Sequence, residues 1–430
     1  MLQRLPNFRF EHRHKYAERL QNSLFNFAAA SRQLGLAKPR PAEQRTTLCR
    51  ADSLLLRRLL QELAMMDTVP GRRRGTVLVT GAAGFLGGHF ALWWRRYGGC
   101  VVALVRADDE AAALSRTVQR QSLSAAAYDQ EAPREHDGIV ATVGDLDLPL
   151  CGVAPARLDE LRALDVEAVW HFAANLRFEH GRYDEVMSSN VSGTANAMDL
   201  AVAIGARRFI YISTAYSCGA AEGPVHEDLH SIAGPFNNAY EESKCRAEHL
   251  VISRSPAFDC PSVVLRPSIV VGPSETWRPG GSEFGLYGLL NKVLRLRGLP
   301  ADRHSGPIMV RGNPAARLHL IPVDVLMRDC LTLEAAGFPG GPVYHLTSLG
   351  GPMIGDGAAV VCDILGLPSI RVGAVSQSPS GLEKWLARQL SFYSSYLTFT
   401  GSFVRSVAAP VTLDLNDLGR LVAGYAATRD

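Results

Sequence analysis

The segment Thr76–Gly87 constrains this chain more than any other. A β-branched run, T-V-L-V-T, ends in Gly81 and is followed by Ala82, Ala83, Gly84, Phe85, Leu86 and Gly87. The run reads as a buried strand, and F-L-G-G-H-F-A-L-W-W-R-R-Y-G (85–98) reads as a helix. Glycine is needed where a chain turns sharply from strand into helix, and where the backbone must approach a bound group that a Cβ would obstruct. The helix N-terminus then offers free N–H groups and a partial positive charge, which suit a pyrophosphate. In this setting Gly81, Ala83, Gly84, Phe85, Leu86 and Gly87 read as a dinucleotide-binding loop.

The rhythm continues downstream. Apolar strands are expected at 100–105, 139–144, 168–173, 208–214 and 262–270, and helices at 108–122, 184–204 and 239–254. Strands alternating with helices imply an α/β fold, a Rossmann-type doubly wound parallel sheet covered on both faces. From about 271 glycine and proline become dense and the alternation fails, so 271–430 is expected to form a smaller substrate-binding cap, with segments returning to the sheet and C-terminal helices. Residues 1–75 stand apart as a basic helical extension, with helices over 10–34 and from Asp52-Ser53, and a linker at 67–75. The domain expectation is therefore 1–75, 76–270 and 271–430.

Composition narrows the class. The 430 residues, 47% hydrophobic and 20% charged, suffice for a large core and exclude a disordered or fibrous protein. The net charge of +3 gives no case for nucleic acid. Residues 1–75 hold 15 Lys+Arg against 6 Asp+Glu, so the basic charge belongs to the extension. That region suits docking of an acidic carrier protein, a membrane surface or an oligomer contact, or else a solvated helical extension with no partner. The eight cysteines form no C-x-x-C pair, which points away from a zinc site or disulfide framework and toward a reducing, cytoplasmic compartment. The first twenty residues lack the apolar core of a secretory signal, and no run of 18 apolar residues exists. The uncharged, Ser- and Thr-rich stretch Leu390–Val404 suits burial, with peripheral membrane contact as the alternative. No metal set is expected.

The second strand ends in Val105-Arg106. An acidic residue there would bind a ribose 2′-hydroxyl, whereas Arg accommodates a 2′-phosphate, so NADPH is the expected cofactor. Asp108 and Asp109 fall in the next helix's first turn, where acids are favoured. Arg116, further along that helix, is a second candidate for the phosphate.

Tyr240-Glu-Glu-Ser-Lys244 lies on the helix after the strand R-F-I-Y-I-S-T. Residues i and i+4 share a helix face, so the Lys ammonium is expected to lower the Tyr phenol and fit it for proton transfer. Lysine is scarce, 5 against 40 Arg, and a compact charge beside a ribose is a lysine's task. Thr214 ends the preceding strand, at the edge where an open α/β sheet binds ligands, and is expected to join Tyr240 on the substrate oxygen, with Ser213 packing or capping. His171 is expected to be structural, Ala173 and Ala174 to admit the nicotinamide ribose, and Asn190 to hold a water or a backbone carbonyl near Lys244.

The motifs T-G-A-A-G-F-L-G, H-F-A-A, N-V-S-G-T, I-S-T-A, Y-E-E-S-K and L-R-P-S-I-V-V-G-P, in this order over 76–273, resemble the extended short-chain dehydrogenase/reductase superfamily. A-L-V-R-A, V-G-D-L-D-L-P-L-C-G-V, Y-I-S-T-A and H-L-I-P-V-D resemble its thioester reductase and fatty acyl-CoA reductase branch, the male-sterility type. The resemblance implies Thr214, Tyr240 and Lys244 as the catalytic group. It also implies Gly81, Gly84 and Gly87 on the pyrophosphate, Arg106 on the 2′-phosphate, Asp145 and Leu146 beside the adenine, and Pro267 and Ile269 at the nicotinamide.

The expected activity is NADPH-dependent reduction of acyl thioesters, carried by CoA or by an acyl carrier protein, to aldehyde, with a second reduction to alcohol left open. The alternative on the same scaffold is a nucleotide-sugar epimerase or dehydratase, or a sterol-type dehydrogenase, with Arg317 as a diphosphate ligand. The apolar stretch 284–299 is expected either to wall an acyl chain or to pack on the sheet. The string Ala51-Asp52-Ser53-Leu54 resembles a carrier-protein attachment site, though 22 residues before the first strand are too few for that fold. Its plainer reading is an Asp/Ser helix cap.

Overall fold

The computed structural model describes residues 74–131, 138–176, 182–297, 306–406 and 411–429. The helices expected over 10–34 and from Asp52-Ser53, and all but the last two residues of the linker at 67–75, lie outside the described residues.

Seven strands build the central sheet: β1 (Thr76–Thr80), β2 (Cys100–Val105), β3 (Ile139–Val143), β4 (Val166–His171), β5 (Arg208–Ile212), β6 (Val263–Pro267) and β7 (Val343–Leu346). They lie in the order β7-β6-β5-β4-β1-β2-β3, and every neighbouring pair is parallel. The Rossmann-type doubly wound sheet is thus present, and β7 brings the C-terminal half of the chain back to its edge. Connections reverse direction between β1 and β4, which opens a crevice at the carboxyl ends of those two strands.

The covering helices are α1 (Phe85–Arg96), α2 (Glu110–Ala127), α3 (Pro155–Ala163), α4 (Tyr183–Met187), α5 (Gly193–Ala203) and α6 (Ala239–Ser253). Both faces of the sheet are dry, which is why its strands read as unbroken apolar runs. On one face Leu78, Val102 and Val169 pack with Leu161, Met198 and Val251 in a single cluster. On the other, Phe90 lies 4.3 Å from Trp170, ring to ring.

The stretch 262–270 is two strands. Pro267 has no N–H to give, so the β6 ladder ends there. After Ser268 the chain resumes as Ile269–Val271 and pairs with Leu320–Pro322.

The C-terminal half has its own core. Helices α7 (Leu286–Leu294), α8 (Val323–Ala335), α9 (Ile354–Leu365), α10 (Gly381–Gln389) and α11 (Leu415–Ala426) follow in order. Leu286, Tyr287, Leu290 and Val293 of α7 pack into one cluster with Ile354, Leu365, Leu418 and Leu421. Leu290 is fully buried, so the apolar face of α7 is occupied by packing, and among the described residues 284–297 the exposed large apolar residue is Phe284. Within Leu390–Val404, residues Leu390, Leu397, Phe399 and Phe403 are buried. Phe399 and Phe403 pack edge-on against Tyr216, at 5.3 and 5.5 Å. No described helix is long and apolar enough to cross a membrane.

Candidate active site

The turn after β1 leaves no room for side chains. Gly81 has φ +71°, and a Cβ there would lie 2.8 Å from the Ala173 amide nitrogen. A Cβ on Gly87 would lie 2.3 Å from the Gly81 carbonyl oxygen. The Gly84 amide donates to that same oxygen at 2.8 Å, which closes the turn. Gly84 caps α1 without a side chain, so no capping side chain bonds the first-turn amides beside Ala83, Phe85 and Leu86. This uncapped helix start above a glycine floor, at the crevice between β1 and β4, fits a dinucleotide pyrophosphate. The Arg120 guanidinium ties the turn down, donating to the carbonyls of Ala83 at 3.3 Å and Gly280 at 3.2 Å.

At the end of β2, Arg106 is exposed and donates to Asp145 at 2.7 Å and Asp147 at 3.2 Å. The Arg116 side chain donates to the Arg106 carbonyl, so the two cations share one corner with Asp145. Asp109 is the N-cap of α2, accepting from the Ala112 amide at 2.7 Å, and so is used locally. Leu146 lies against Gly193, where an added Cβ would be 3.2 Å from the Leu146 Cβ. Its carbonyl accepts from Asn196 at 2.7 Å.

One hydrogen-bond chain crosses from β1 to α6. The Ala173 amide donates to the Thr80 hydroxyl at 3.2 Å, and Thr80 Oγ1 lies 2.8 Å from His171 Nδ1. Thr194 donates its hydroxyl to the Asn190 carbonyl at 2.6 Å. Its oxygen therefore accepts from His171 Nε2, 3.2 Å away, and Thr80 donates to Nδ1. Burial, and then the Lys244 charge, push the His171 imidazole down to about 3, so it is a neutral strut and no base. Asn190, in a π-helical turn at Ser188–Ser192, accepts from the Asn175 amide at 2.7 Å. It donates to the Asn175 carbonyl at 3.1 Å and to Ser243 at 2.9 Å. Ser243 in turn donates to the Tyr240 carbonyl at 2.8 Å. Asn190 thus fastens the segment after Ala173 and Ala174, both half-buried, to the turn of α6 that bears Tyr240 and Lys244.

Lys244 is buried and donates to the Ile212 carbonyl at 2.6 Å. Its Nζ lies 4.3 Å from the Tyr211 ring centroid and 6.0 Å from that of Tyr240. Burial lowers the ammonium to about 7, and the Glu248 carboxylate opposes that shift. Burial also raises the Tyr240 phenol above its ordinary value, and Glu241 pushes the same way. The sequence-based expectation of a lowered phenol is therefore reversed, because desolvation disfavours phenolate more than the neighbouring ammonium favours it. Thr214 caps the short turn Ala215–Cys218, accepting from the Tyr216 amide at 3.3 Å, which leaves its hydroxyl hydrogen to donate. Ser213 is buried and donates to Glu248. Pro267 is buried at the end of β6, and the half-buried Ile269 follows it.

The pair Glu248–Arg266 was not expected from the sequence. Both side chains are fully buried, 2.5 Å apart. The signal was present: Arg266 is the one charge in an apolar strand, and Glu248 lies one turn past Lys244.

The family model for male sterility proteins, an NAD-binding family, matches residues 79–330, more than half of the chain. The chain is 28% identical over 283 residues to the nonribosomal peptide synthetase asaC of Aspergillus flavus, covering 63% of this chain and 26% of that protein. It is 30% identical over 246 residues to a carboxylic acid reductase of Segniliparus rugosus, covering 52% of this chain and 20% of that one. The chain thus spans about a quarter or less of these relatives. The crystal structure of the terminal R domain from the myxalamid PKS-NRPS pathway superposes with a TM-score of 0.65 at 21% identity, over 84% of this chain and 95% of that one. With the glycine turn, the switch-point crevice and the Tyr–Lys helix in place, the chain belongs to the male sterility protein family, an NAD-binding family of extended short-chain dehydrogenases/reductases.

Proposed function

We propose that this protein is an NADPH-dependent reductase of acyl thioesters, acting on acyl groups carried by CoA or by a carrier protein. The product is the aldehyde and, after a second reduction, the alcohol. The observation that carries this reading is the buried Lys244, one turn from Tyr240 on α6, donating to the Ile212 carbonyl at the carboxyl end of β5, two residues before Thr214. Similarity to a carboxylic acid reductase and to a nonribosomal peptide synthetase supports a thioester as substrate.

The pyrophosphate would rest on Gly81, Ala83, Gly84, Phe85, Leu86 and Gly87. Arg106 and Arg116 would face a 2′-phosphate, and Asp145 and Leu146 the adenine. Ala173, Ala174 and Lys244 would border the nicotinamide ribose, and Pro267 and Ile269 the ring. The corner formed by Arg106 and Arg116, with Asp109 spent as a cap, supports NADPH over NADH. The cofactor, when bound, supplies hydride from C4 of its nicotinamide.

The chain's own groups act on the carbonyl oxygen. Tyr240, kept protonated by burial, and the free hydroxyl hydrogen of Thr214 both donate to that oxygen as it gains charge, where preorganised donors act most strongly. When the oxygen reforms its double bond, the carbon–sulfur bond breaks and the sulfur leaves, taking up one proton as thiol. One hydride and one proton thus convert thioester into aldehyde and thiol.

The sugar-nucleotide alternative relies on Arg317, whose guanidinium donates to the Gly351 carbonyl at 2.9 Å. NADPH consumption with acyl-CoAs, carrier-bound acyl groups and UDP-sugars tests the two readings against each other. Turnover and aldehyde with a thioester are expected; turnover with a UDP-sugar alone would overturn the proposal.

A further inference from the structure

Glu248 lies one helical turn beyond Lys244 on α6, with no exposed surface. Arg266 grips both of its carboxylate oxygens, Nη2 at 2.5 Å from Oε2 and Nε at 3.0 Å from Oε1. Oε1 also accepts the Ser213 hydroxyl. Ser213 stands between Ile212, whose carbonyl accepts the Lys244 ammonium, and Thr214. Helix α6 therefore holds the end of β5 at two points one turn apart, through Lys244 and through Glu248. Arg266 joins β6 to the same carboxylate and directly precedes Pro267. One buried ion pair thus touches the three elements that carry Thr214, Tyr240 with Lys244, and Pro267. Two apolar side chains would fill this space without the cost of desolvating two charges, so the charges call for a role beyond packing.

Lys244 faces Tyr240 and Glu248 on its own helix, Tyr211 on β5 and His171 on β4. Glu248 is the carboxylate among them. It faces in turn Arg266 on β6, His345 on β7, His230 in the loop before α6, Tyr211, and the thiols Cys218 and Cys245. Both histidines are lowered to about 4, by burial first and Arg266 next for His230, and by burial for His345, so both are neutral and neither competes for the carboxylate as a cation at neutral pH. Burial works against the charge on Glu248, but Arg266 and its hydrogen bonds outweigh burial and hold the carboxyl below its usual range.

We propose that the Glu248–Arg266 pair is a positioning device for the reaction, which fixes Thr214 through Ser213 and holds Lys244 in its charged form. The proposal rests on the reading of Thr214, Tyr240 and Lys244 as the catalytic group. Glu248→Gln removes the charge and keeps an oxygen for Ser213.

Only five lysines are present, so ¹³Cε-lysine NMR on the full chain can follow Lys244, assigned by its loss in Lys244→Met. In the wild type its midpoint is expected near 7. In Glu248→Gln it should fall by about one unit, and the alkaline limb of kcat/KM should move with it. Ser213→Ala should leave that midpoint in place while lowering kcat about tenfold at constant KM, since one misplaced donor acts on the transition state alone. Glu248→Asp should recover the midpoint. An unchanged Lys244 midpoint in Glu248→Gln would overturn the proposal, whatever happens to its melting temperature. If that variant does not fold, Ser213→Ala, which keeps both charges, decides: an unchanged kcat there would overturn the proposal. The NMR result stands even if no thioester is turned over, so failure of the substrate reading is seen separately.

Discussion

Lys244 and Tyr240 share a face of α6, but the Lys244 ammonium donates to the Ile212 carbonyl at 2.6 Å while its Nζ lies 6.0 Å from the Tyr240 ring centroid. The lysine is a buried cation anchored on the sheet edge, and the tyrosine is a phenol that burial keeps protonated. A protonated phenol is the form that donates to an oxygen gaining negative charge.

Tyr240→Phe preserves the ring and its packing and removes only the donor. Turnover should fall by about 10²- to 10⁴-fold, the usual span for a general acid, with cofactor affinity within a few-fold of wild type. Steady-state rates and a fluorescence titration with NADPH check both parts. A variant that keeps more than a tenth of the wild-type rate would take Tyr240 out of the mechanism.

Lys244 sets a pH dependence of defined sign. Its folded value, about 7, is below the ordinary 10.5, so the unfolded chain binds more protons between those limits. The contribution of Lys244 to stability is thus most favourable above 10.5 and is lost as pH falls through about 7. Denaturant titrations from pH 6 to 10 should show this rise with pH in the wild type and its absence in Lys244→Met. For kcat/KM the sign is opposite. The proposed mechanism requires a charged Lys244, so activity should decline as pH rises through about 7 in the free enzyme. A flat alkaline limb would mean that the ammonium has no part in the reaction.

Arg106→Ala should raise the KM for NADPH about ten- to hundredfold, the worth of one charge-assisted contact to phosphate, and leave that for NADH nearly unchanged. Arg106 is two-thirds exposed and its partners Asp145 and Asp147 are also open to solvent, so little stability should be lost. Equal effects on both cofactors would contradict the assignment.

Gly87→Ala places a methyl group 2.3 Å from the Gly81 carbonyl oxygen, backbone that cannot move without opening the turn. A loss of about 1–3 kcal/mol in stability is expected, together with loss of cofactor binding. Gly98, whose Cβ position is open but whose φ of +77° strains any side chain, is the control for strain alone: alanine there should cost stability and leave cofactor binding intact. Isothermal titration with NADPH on both variants separates a closed loop from general strain.

The sheet was legible because strands buried on both faces carry unbroken apolar runs, and the glycine turn because its φ and its crowding admit no other residue. The break at Ser268 was not, since V-V-L-R-P-S-I-V-V is apolar throughout and a change of sheet partner leaves no mark on periodicity. Leu290 shows the same limit. An apolar helix face reads alike whether it meets an alkyl chain or, as here, a core built from α9 and α11. Leu290→Asp should therefore cost several kcal/mol and unfold the C-terminal core at every substrate chain length, where a wall residue would lose long-chain turnover alone. Tyr240 and Lys244 were visible from spacing. The raised phenol was not, because it depends on how deeply the segment after β5 covers α6.

The central claim is hydride delivery to a thioester carbonyl under the control of Tyr240. Incubation with an acyl-CoA or carrier-bound thioester and NADPH deuterated at C4, followed by mass spectrometry of the product, tests it most directly. The account predicts one deuterium on the former carbonyl carbon of the aldehyde, free thiol in equal amount, and both formed at least about a hundredfold more slowly in Tyr240→Phe. Thiol release with no reduced carbon, or labelled product at the wild-type rate from Tyr240→Phe, would contradict it.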